Sequence, residues 1–382
     1  MIWHLLTGEF PPDCGGVGDY AWDLARALAE AGDTVHVWTA ASRAAGDGTP
    51  APGITIHHLP DSFGPQSRGV LGAALRQTPG IVLLQYVPNA LGARGANLPF
   101  CRWLRGVHQA GADVRIMFHE PYFYFTLRRP WRNALAIVQR TMAATLLQAA
   151  STIYMSTETW QGYLEAVGTL PRAATLPIPS SIPNGAAAED VAQLQARISP
   201  SGTPVVGHFG TYGEHVATEL FALLPAIAAQ APIARFAFMG KGSREFLERL
   251  GESHPPIASR AWASGHLPAT ELSAVLCSCD LLIQPYPDGI TTRRTSAMAG
   301  LRNGIATVST SGTLTEPIWK DTGAVALAPV SDRAAFARAV ARLLDDPDAR
   351  RLQAAQGAHA YARHFSMPHT IAVLRGSPAE TA

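Results

Sequence analysis

A loop between Tyr286 and Gly300 combines residue types that suit the binding of an anion. It offers a carboxylate and a glycine, then an apolar residue, two threonines and two arginines: Asp288, Gly289, Ile290, Thr291, Thr292, Arg293 and Arg294. The threonines could cap a helix whose first turn holds the arginines, although the helix dipole disfavours cations at that end. A phosphate held between the guanidinium groups and backbone amides would account for this placement. The alternative is that both arginines are solvated on an outer face.

Two more glycine-bearing loops follow predicted strands in the same half of the chain. Gly210 and Thr211 come after the strand 204–208, and Lys241 comes after the strand 235–239. Ligands of open parallel sheets bind outside the carboxyl ends of the strands, where these loops are expected to lie. We expect Lys241 either to reach a phosphate or to point into water.

A further glycine-bearing loop, 7–19, follows the first predicted strand and includes Gly16. Its glycines permit close approach to a ligand and place amides at a helix N-terminus, where an anion or a sugar could bind. A tight turn without a ligand is the alternative. Residues 16–21 also fit a loose dinucleotide-binding fingerprint, but the glycines come well after the strand and residues 38–41 offer no carboxylate for a ribose. We therefore reject a dinucleotide site.

His119 follows the predicted strand 114–118 and is the catalytic candidate of the first half. An imidazole at the end of a strand can hydrogen-bond a sugar hydroxyl or a developing charge, whereas a structural histidine is the alternative. After it come four consecutive aromatic residues, 122–125, and the arginines Arg128, Arg129 and Arg132. This segment could contact an acceptor or a lipid surface, or pack onto its own domain.

Short apolar runs alternate with helical patterns along the chain. The predicted strands are 2–6, 34–39, 54–59, 81–86, 114–118, 152–155, 204–208, 235–239, 281–285, 305–309 and 324–327. The clearest helix spans 20–31, with Ala21, Leu24 and Leu28 on one face and Gly32 after its end. This alternation predicts an α/β fold with mostly parallel sheets. A proline-rich stretch, 170–185, has the composition of a hinge, which predicts two doubly wound domains.

The composition excludes several classes of protein. Of 382 residues, 47% are hydrophobic and 15% are charged, which favours well-buried layers over a disordered chain, and a net charge of +1 does not favour nucleic-acid binding. Four scattered cysteines indicate neither a disulfide framework nor a zinc site, and the Asp-Pro-Asp at 346–348 is interpreted as a helix start rather than a metal site. Without an evident targeting segment or a bilayer-spanning run, we expect a cytoplasmic protein. Because the residue spacings indicate neither a metal site nor a dinucleotide site, we expect no metal and no cofactor.

Several blocks of residues resemble the family 4 glycosyltransferases of GT-B fold, along nearly the whole chain. A proline-bearing turn followed by Gly-Gly-x-Gly, within 10–18, is similar to the N-terminal signature of the family. An acidic residue and glycine, then Ala-Met-Ala, a glycine and a hydrophobic strand, within 288–308, resemble its C-terminal block. Later glycine turns at 312–316 and 323–329 and a closing segment at 346–366 are also similar.

The resemblance implies two Rossmann-like domains with a cleft between them: an acceptor-binding domain at 1–178 and a nucleotide-sugar-binding domain at 179–360. Residues 361–382 would form a helix that crosses back to the first domain, and a tail. The implied reaction moves a sugar from a nucleotide diphosphate to an acceptor hydroxyl, with retention and without a metal. The acceptor would be a sugar, a lipid-linked compound or a small molecule, and the protein could contact a membrane peripherally.

The chain departs from the family pattern at two places. A pair of glutamates that contact the sugar and the ribose is replaced by Asp288 and Ser296, and a serine can offer only an uncharged contact. The arginine and lysine that clamp the diphosphate are absent, since Thr211 stands near the arginine position. We hypothesise that the two arginines of the 286–300 loop, together with Lys241, neutralise the phosphates instead.

In the leading interpretation, Asp288 orients the donor sugar, the amides of 289–292 and the two arginines hold the diphosphate, and His119 lines the reacting centre. Glu316 is a candidate contact near the nucleotide, or else a buried carboxylate that caps a turn. Two alternatives stay open. One is a nucleotide-sugar epimerase, which needs acid and base carboxylates near the sugar, and the other is a non-catalytic nucleotide-sugar-binding protein of the same fold.

Overall fold

The computed structural model describes residues 1–11, 16–40, 51–126 and 130–376, which divide into two compact units. Among the described residues, the first unit comprises Met1–Pro177 and residues 370–376, and the second comprises Ile178–His369. Each unit has one parallel sheet with helices packed against it, so the predicted α/β fold with two doubly wound domains is confirmed. Within the described ranges, no helix is long and apolar enough to cross a membrane.

The first unit contains a seven-stranded sheet whose neighbouring strands are all parallel. Its strands are β1 (Ile2–Thr7), β2 (Thr34–Ala40), β3 (Ile54–Leu59), β4 (Ile81–Tyr86), β5 (Val114–Phe118), β6 (Thr152–Met155) and β7 (Arg172–Thr175). They lie in the order β3-β2-β1-β4-β5-β6-β7. The strand order therefore reverses between β1 and β4, and a doubly wound sheet binds ligands at the carboxyl ends beside such a point.

The second unit contains a six-stranded parallel sheet. Its strands are β8 (Val205–Phe209), β9 (Arg235–Met239), β10 (Ala261–Ala263), β11 (Leu281–Gln284), β12 (Thr307–Ser311) and β13 (Ala326–Pro329). They lie in the order β10-β9-β8-β11-β12-β13, so the reversal falls between β8 and β11. The consecutive β8 residues Val205 and Val206 point to opposite faces and belong to two separate core clusters, which shows that both faces of the sheet are covered.

Helices connect these strands. They are α1 (Gly16–Glu30), α2 (Pro65–Gln77), α3 (Leu98–Gln109), α4 (Trp131–Leu147), α5 (Thr159–Glu165), α6 (Ala188–Ile198), α7 (Glu214–Gln230), α8 (Ser243–Ser253), α9 (Pro255–Ala258), α10 (Ala269–Cys277), α11 (Thr295–Arg302), α12 (Ile318–Asp321), α13 (Arg333–Asp345), α14 (Pro347–Ala360) and α15 (Met367–Arg375). Short 3-10 helices at Pro88–Leu91 and Ala93–Gly95 and a π-helix at Tyr361–Phe365 complete the described elements. As predicted, Asp346 starts α14, where it accepts hydrogen bonds from two amides of the first turn.

The last helix contributes to the core of the first unit from Thr370 onward. Arg115 Nη1 donates to the carbonyl of Leu374 at 2.5 Å, and Arg375 Nη1 donates to the carbonyl of Ala31 at 3.2 Å. Helix α15 lies within the segment 361–382, whose predicted crossing back to the first domain stays a prediction, and residues 377–382 of the expected tail lie outside the described residues.

Two strands were not predicted. Arg172–Thr175 forms β7 inside the stretch 170–185, where we expected only hinge residues, and Ala261–Ala263 forms β10. Both are edge strands, and alanine occupies two of four positions in β7 and two of three in β10. Alanine has low β-propensity, so the pairing with β6 and β9 rather than the local sequence makes these segments extended.

Candidate functional site

Loops of the second unit meet at the carboxyl edge of its sheet. The loops after β8 and β9 approach so closely that a Cβ atom at Gly240 would collide with the carbonyl oxygen of Gly210. A Cβ atom at Gly210 would lie 3.9 Å from Ser296 Oγ, on the helix that follows β11. The structure thus brings Gly210 and Ser296 together and places Lys241, next to Gly240, at the same edge.

The turn after β11 is shaped by Gly289, whose φ of +91° falls in the region that favours glycine. A side chain there would collide with Thr315 Oγ1 in the loop after β12. The Gly289 amide donates to the carbonyl of Tyr286 at 3.0 Å, and the Ile290 amide donates to the carbonyl of Thr310 at 2.9 Å. These two amides, which we expected to hold an anion, are therefore engaged within the protein.

Glu316 braces this turn from the loop after β12. Its carboxylate is buried and accepts hydrogen bonds from the Thr292 amide (3.1 and 3.2 Å), from Thr292 Oγ1 (2.8 Å) and from Trp319 Nε1 (2.9 Å). The Thr292 amide is therefore also engaged within the protein. Of the two roles considered for Glu316, this geometry is that of a buried cap, and contact with a nucleotide stays a prediction.

The two arginines precede α11 instead of lying in its first turn. The helix begins at Thr295 with Arg294 as its N-cap residue and has no side-chain cap, so the expected threonine cap is wrong. Arg294 Cζ lies 4.6 Å from the centre of the Tyr286 ring, and burial lowers the pKa of Arg294 from its ordinary value. Tyr286 Oη shares a hydrogen bond of 2.8 Å with Ser296 Oγ. Tyr286 therefore holds both the guanidinium and the serine at the start of α11.

Buried polar atoms without a hydrogen-bond partner gather at this edge. Among the described residues they include His208 Nε2 near the end of β8, Thr291 Oγ1 and Arg294 Nε. His208 Nδ1 shares a hydrogen bond of 2.9 Å with the carbonyl of Ile283, and burial lowers the pKa of His208 to about 4, so this ring is neutral. An unpaired buried group costs about 1–3 kcal/mol, and native proteins leave few of them. Three at one sheet edge indicate a polar site.

The other candidates of the second unit lie nearer the surface. Asp288, Thr211 and Lys241 are exposed, and Arg293 is half-buried. The loops after β8, β9 and β11 thus carry three cations and one carboxylate. Within the described part of the chain, no three His, Cys, Asp or Glu side chains are grouped so that they could hold a metal ion.

In the first unit, His119 lies directly after β5 and is buried. Its Nε2 shares a hydrogen bond of 2.8 Å with Gln85 Oε1, on β4. Its carbonyl accepts a hydrogen bond of 2.9 Å from Trp160 Nε1, and the Tyr20 ring packs edge-on against the imidazole. Burial lowers the pKa of His119 to about 3, so the imidazole is uncharged at physiological pH. His119 can therefore serve as a neutral hydrogen-bonding group.

The glycine loop of the first unit is described only in part. Gly16 is the first residue of α1, and a Cβ atom there would meet open space. Residues 12–15, which precede it, lie outside the described residues. An anion or sugar contact at Gly16 stays a prediction.

The aromatic segment after His119 forms an exposed patch with α4. Tyr124, Phe125 and Ile137 are each more than half exposed. Arg140 Cζ lies 3.9 Å from the centre of the Phe125 ring, and Arg132 Cζ also stacks on an aromatic ring, at 4.4 Å from Phe123. Arg128 and Arg129, which we expected to contribute, lie outside the described residues.

Sequence reasoning missed Gln85 and Tyr286 as members of these sites. Gln85 is the penultimate residue of β4, and Tyr286 is the second residue after β11. A rule that collects polar side chains from the carboxyl ends of all strands, and not only from the loops after them, would have found both.

Two family models match the chain in succession. A glycosyl transferase 4-like domain matches residues 15–180, and a glycosyl transferases group 1 domain matches residues 203–346. No curated protein matches the chain in sequence.

Solved structures of glycosyltransferases resemble both units. Sucrose-phosphate synthase from Thermosynechococcus elongatus is 16% identical, with a TM-score of 0.74 over 98% of this chain and 97% of that chain. Anabaena HepE in complex with UDP and glucose is 14% identical, with a TM-score of 0.68 over 98% and 99%. WaaG, a glycosyltransferase involved in lipopolysaccharide biosynthesis, is 14% identical, with a TM-score of 0.65 over 100% of both chains. These likenesses show the fold, and with the two family models they show that the chain belongs to the family 4-like glycosyltransferases of GT-B fold.

Proposed function

We propose that this glycosyltransferase moves a sugar from a nucleotide diphosphate to an acceptor hydroxyl, with retention of configuration and without a metal. The second unit binds the donor at the edge formed by the loops after β8, β9 and β11. The observation that carries the proposal is the group of unpaired buried atoms at this edge, which includes the Nε of Arg294. Because Anabaena HepE is in complex with UDP and glucose, uridine diphosphate sugars are the first donors to test.

Arg293 and Arg294 bind the diphosphate in this proposal. The guanidinium of Arg294 is a planar fork that Tyr286 holds in place by stacking, which suits bidentate contact with phosphate oxygens. Burial destabilises this cation, as the lowered pKa of Arg294 indicates, and an anion beside it would offset that cost. Lys241 adds a flexible positive charge from the loop after β9.

Positive charge at this edge also serves the chemical step. Negative charge develops on the departing nucleotide diphosphate, and cations already fixed in place stabilise it without the reorganisation that water requires. The two arginines and Lys241 thus supply the charge that a divalent cation supplies in metal-dependent transferases.

Asp288 and His119 contact sugar hydroxyl groups in the proposed mechanism. The exposed carboxylate of Asp288 lies in the turn after β11 and can accept hydrogen bonds from hydroxyl donors. His119 contributes a neutral imidazole, which forms hydrogen bonds without adding a positive charge.

The test is an incubation of the full chain with uridine, guanosine, thymidine and adenosine diphosphate sugars in the presence of EDTA. A thermal-shift screen selects the donor, because a ligand that binds only the folded protein raises its apparent stability. NMR of the products then reports the anomeric configuration. Transfer or slow hydrolysis with retained configuration is the expected result. Tight binding without turnover would instead identify a binding protein, and an isomerised donor would identify an epimerase.

We also propose peripheral contact of the cytoplasmic enzyme with an anionic membrane through the aromatic patch. Phe125 and Ile137 expose apolar surface, and Arg140 contacts Phe125 and lies one helical turn from Ile137. Apolar side chains beside arginines match the boundary between acyl chains and anionic headgroups. A lipid-linked acceptor would then be reached at the membrane surface.

Cosedimentation with vesicles tests this contact. We expect binding to phosphatidylglycerol vesicles, weak binding to phosphatidylcholine vesicles, and loss of binding in Ile137→Glu. Leu352→Glu, the same kind of change at an exposed leucine on α14, is the matched control and should leave binding intact. If both variants bound the phosphatidylglycerol vesicles equally well, the aromatic patch would not be the membrane contact.

A further inference from the structure

Gln85 and His119 lie side by side at the carboxyl ends of two neighbouring strands. β4 pairs in parallel with β5, and the His119 amide extends this pairing by donating to the carbonyl of Tyr86 at 3.1 Å. The resulting register places Gln85 Oε1 2.8 Å from His119 Nε2. The two side chains are 1% and 7% exposed, so water does not compete for this hydrogen bond.

Other contacts hold His119 without engaging its ring nitrogens. Its carbonyl accepts hydrogen bonds from Trp160 Nε1 at 2.9 Å and from Ser156 Oγ at 3.3 Å. The Tyr20 ring packs edge-on, with the ring centres 5.3 Å apart. These contacts fix the backbone and the plane of the imidazole. The amide of Gln85 then decides which nitrogen carries the proton.

The tautomer follows from the chemistry of the amide. An amide oxygen only accepts, so a hydrogen bond to Gln85 Oε1 requires the proton of a neutral His119 to be on Nε2, and Nδ1 then carries a lone pair. Burial lowers the pKa of His119 to about 3, so the ring has a single proton at physiological pH. With the amide turned over, Gln85 Nε2 would donate to the ring, and the proton would move to Nδ1. The orientation of Gln85 thus decides whether Nδ1 accepts or donates.

In a second buried glutamine of the same unit, both polar atoms of the side-chain amide have hydrogen-bond partners. Gln139 Oε1 accepts from the Phe123 amide at 2.9 Å, and Gln139 Nε2 donates to the carbonyl of Gly95 at 3.3 Å. Gln85 Nε2, in contrast, is buried without a hydrogen-bond partner. Such a group is costly and is retained where the other end of the side chain has a function. In Gln85 that other end contacts His119.

We propose that Gln85 is a positioning residue that keeps the proton of His119 on Nε2, so that Nδ1 accepts a hydrogen bond from a hydroxyl group of the substrates. This inference rests on the proposed function, because it takes the hydroxyl from a sugar donor or its acceptor. It deepens that function by fixing the direction of the hydrogen bond: the substrate donates, and His119 accepts.

Nitrogen-15 NMR of the full chain with labelled histidine reports which ring nitrogen is protonated. We expect Nε2–H in the wild-type protein and in Gln85→Glu, whose carboxylate only accepts. Gln85→Leu removes the hydrogen bond, and we expect it to give a mixture of tautomers. Gln139→Leu is the control for altering a buried glutamine, and the tautomer of His119 should not change in it.

Steady-state kinetics provide the second measurement. The carboxylate of Gln85→Glu favours protonation of His119, and an imidazolium can no longer accept at Nδ1. We therefore expect kcat of this variant to fall toward acidic pH in a range where wild-type kcat is flat. Gln85→Leu should lower kcat about 3- to 10-fold, the effect of one hydrogen bond. Gln139→Leu should keep the wild-type pH profile.

A proton on Nδ1 in the wild-type protein would overturn the inference, and so would a wild-type pH profile in Gln85→Glu. If the wild-type protein transfers sugar and the Gln85 variants keep its kcat, the positioning role fails while the proposed function stands. If the wild-type protein turns over none of the nucleotide sugars, the proposed function fails, and the substrate contact of His119 fails with it.

Discussion

Replacement of Glu316 tests whether the turn after β11 depends on a buried carboxylate. Three donor groups, the Thr292 amide, Thr292 Oγ1 and Trp319 Nε1, lie within 3.2 Å of its two oxygens. Alanine would remove the acceptor that these donors share, and each buried hydrogen bond lost in this way costs about 1–3 kcal/mol. Partial relaxation reduces the sum, and we expect Glu316→Ala to lower the free energy of unfolding by about 3–5 kcal/mol. Glutamine retains the volume and one acceptor oxygen, so about 1–3 kcal/mol is expected for Glu316→Gln.

Urea denaturation of the full chain, followed by circular dichroism and by tryptophan fluorescence, measures this effect. Glu248→Ala changes an exposed glutamate on α8 and is the control, with an expected change within about 0.5 kcal/mol. A loss below about 1 kcal/mol in Glu316→Ala would refute the reasoning. If such a variant also bound nucleotide weakly, Glu316 would be a ligand contact rather than a brace.

Two further predictions concern the first unit. The rings of His4, His36 and His57 lie against one another on neighbouring strands, and burial and mutual repulsion lower the pKa of His4 and His57. The unfolded chain therefore binds more protons than the folded protein below about pH 6.5. The free energy of unfolding should therefore fall as the pH drops from about 6.5 to 5, and His57→Asn should make this decline shallower in urea titrations at several pH values. Asp33 accepts a hydrogen bond from Trp3 Nε1 at 3.0 Å and lies 3.6 Å from Arg375. We expect Asp33→Ala to lower the free energy of unfolding by about 2–4 kcal/mol, and an unchanged urea midpoint would contradict this.

Periodicity was sufficient to predict most of the fold. The strands at 54–59, 81–86, 114–118, 152–155 and 235–239 were predicted with the bounds that the structure has. Except in 54–59, which is an edge strand, these β-branched and apolar runs are buried on both faces, as is typical of parallel strands. The strand at 305–309 lies at Thr307–Ser311 instead, because its boundary is set by pairing with β11 and β13 rather than by hydropathy.

The site was harder to predict, because its contacts join residues that are distant in sequence. No residue near Thr292 in the sequence indicates that the Thr292 amide donates to Glu316. Likewise, no residue near His119 indicates its hydrogen bond with Gln85, which is 34 residues away. The residue types of the 286–300 loop did predict a polar site at the correct sheet edge. Which amides would be free could not be predicted, since that depends on the turn that Gly289 allows.

The most direct test of the account is the affinity of the protein for a nucleoside diphosphate, compared with that for the nucleoside alone, by calorimetry. In the double variant Arg293→Ala and Arg294→Ala, we expect diphosphate affinity to fall about 10- to 100-fold per arginine while nucleoside affinity is unchanged, because charge-assisted hydrogen bonds contribute about 1.5–3 kcal/mol each. Arg338→Ala, at an exposed arginine on α13, is the control and should bind both ligands as the wild-type protein does. Diphosphate affinity equal to that of the wild-type protein in the double variant would contradict the account.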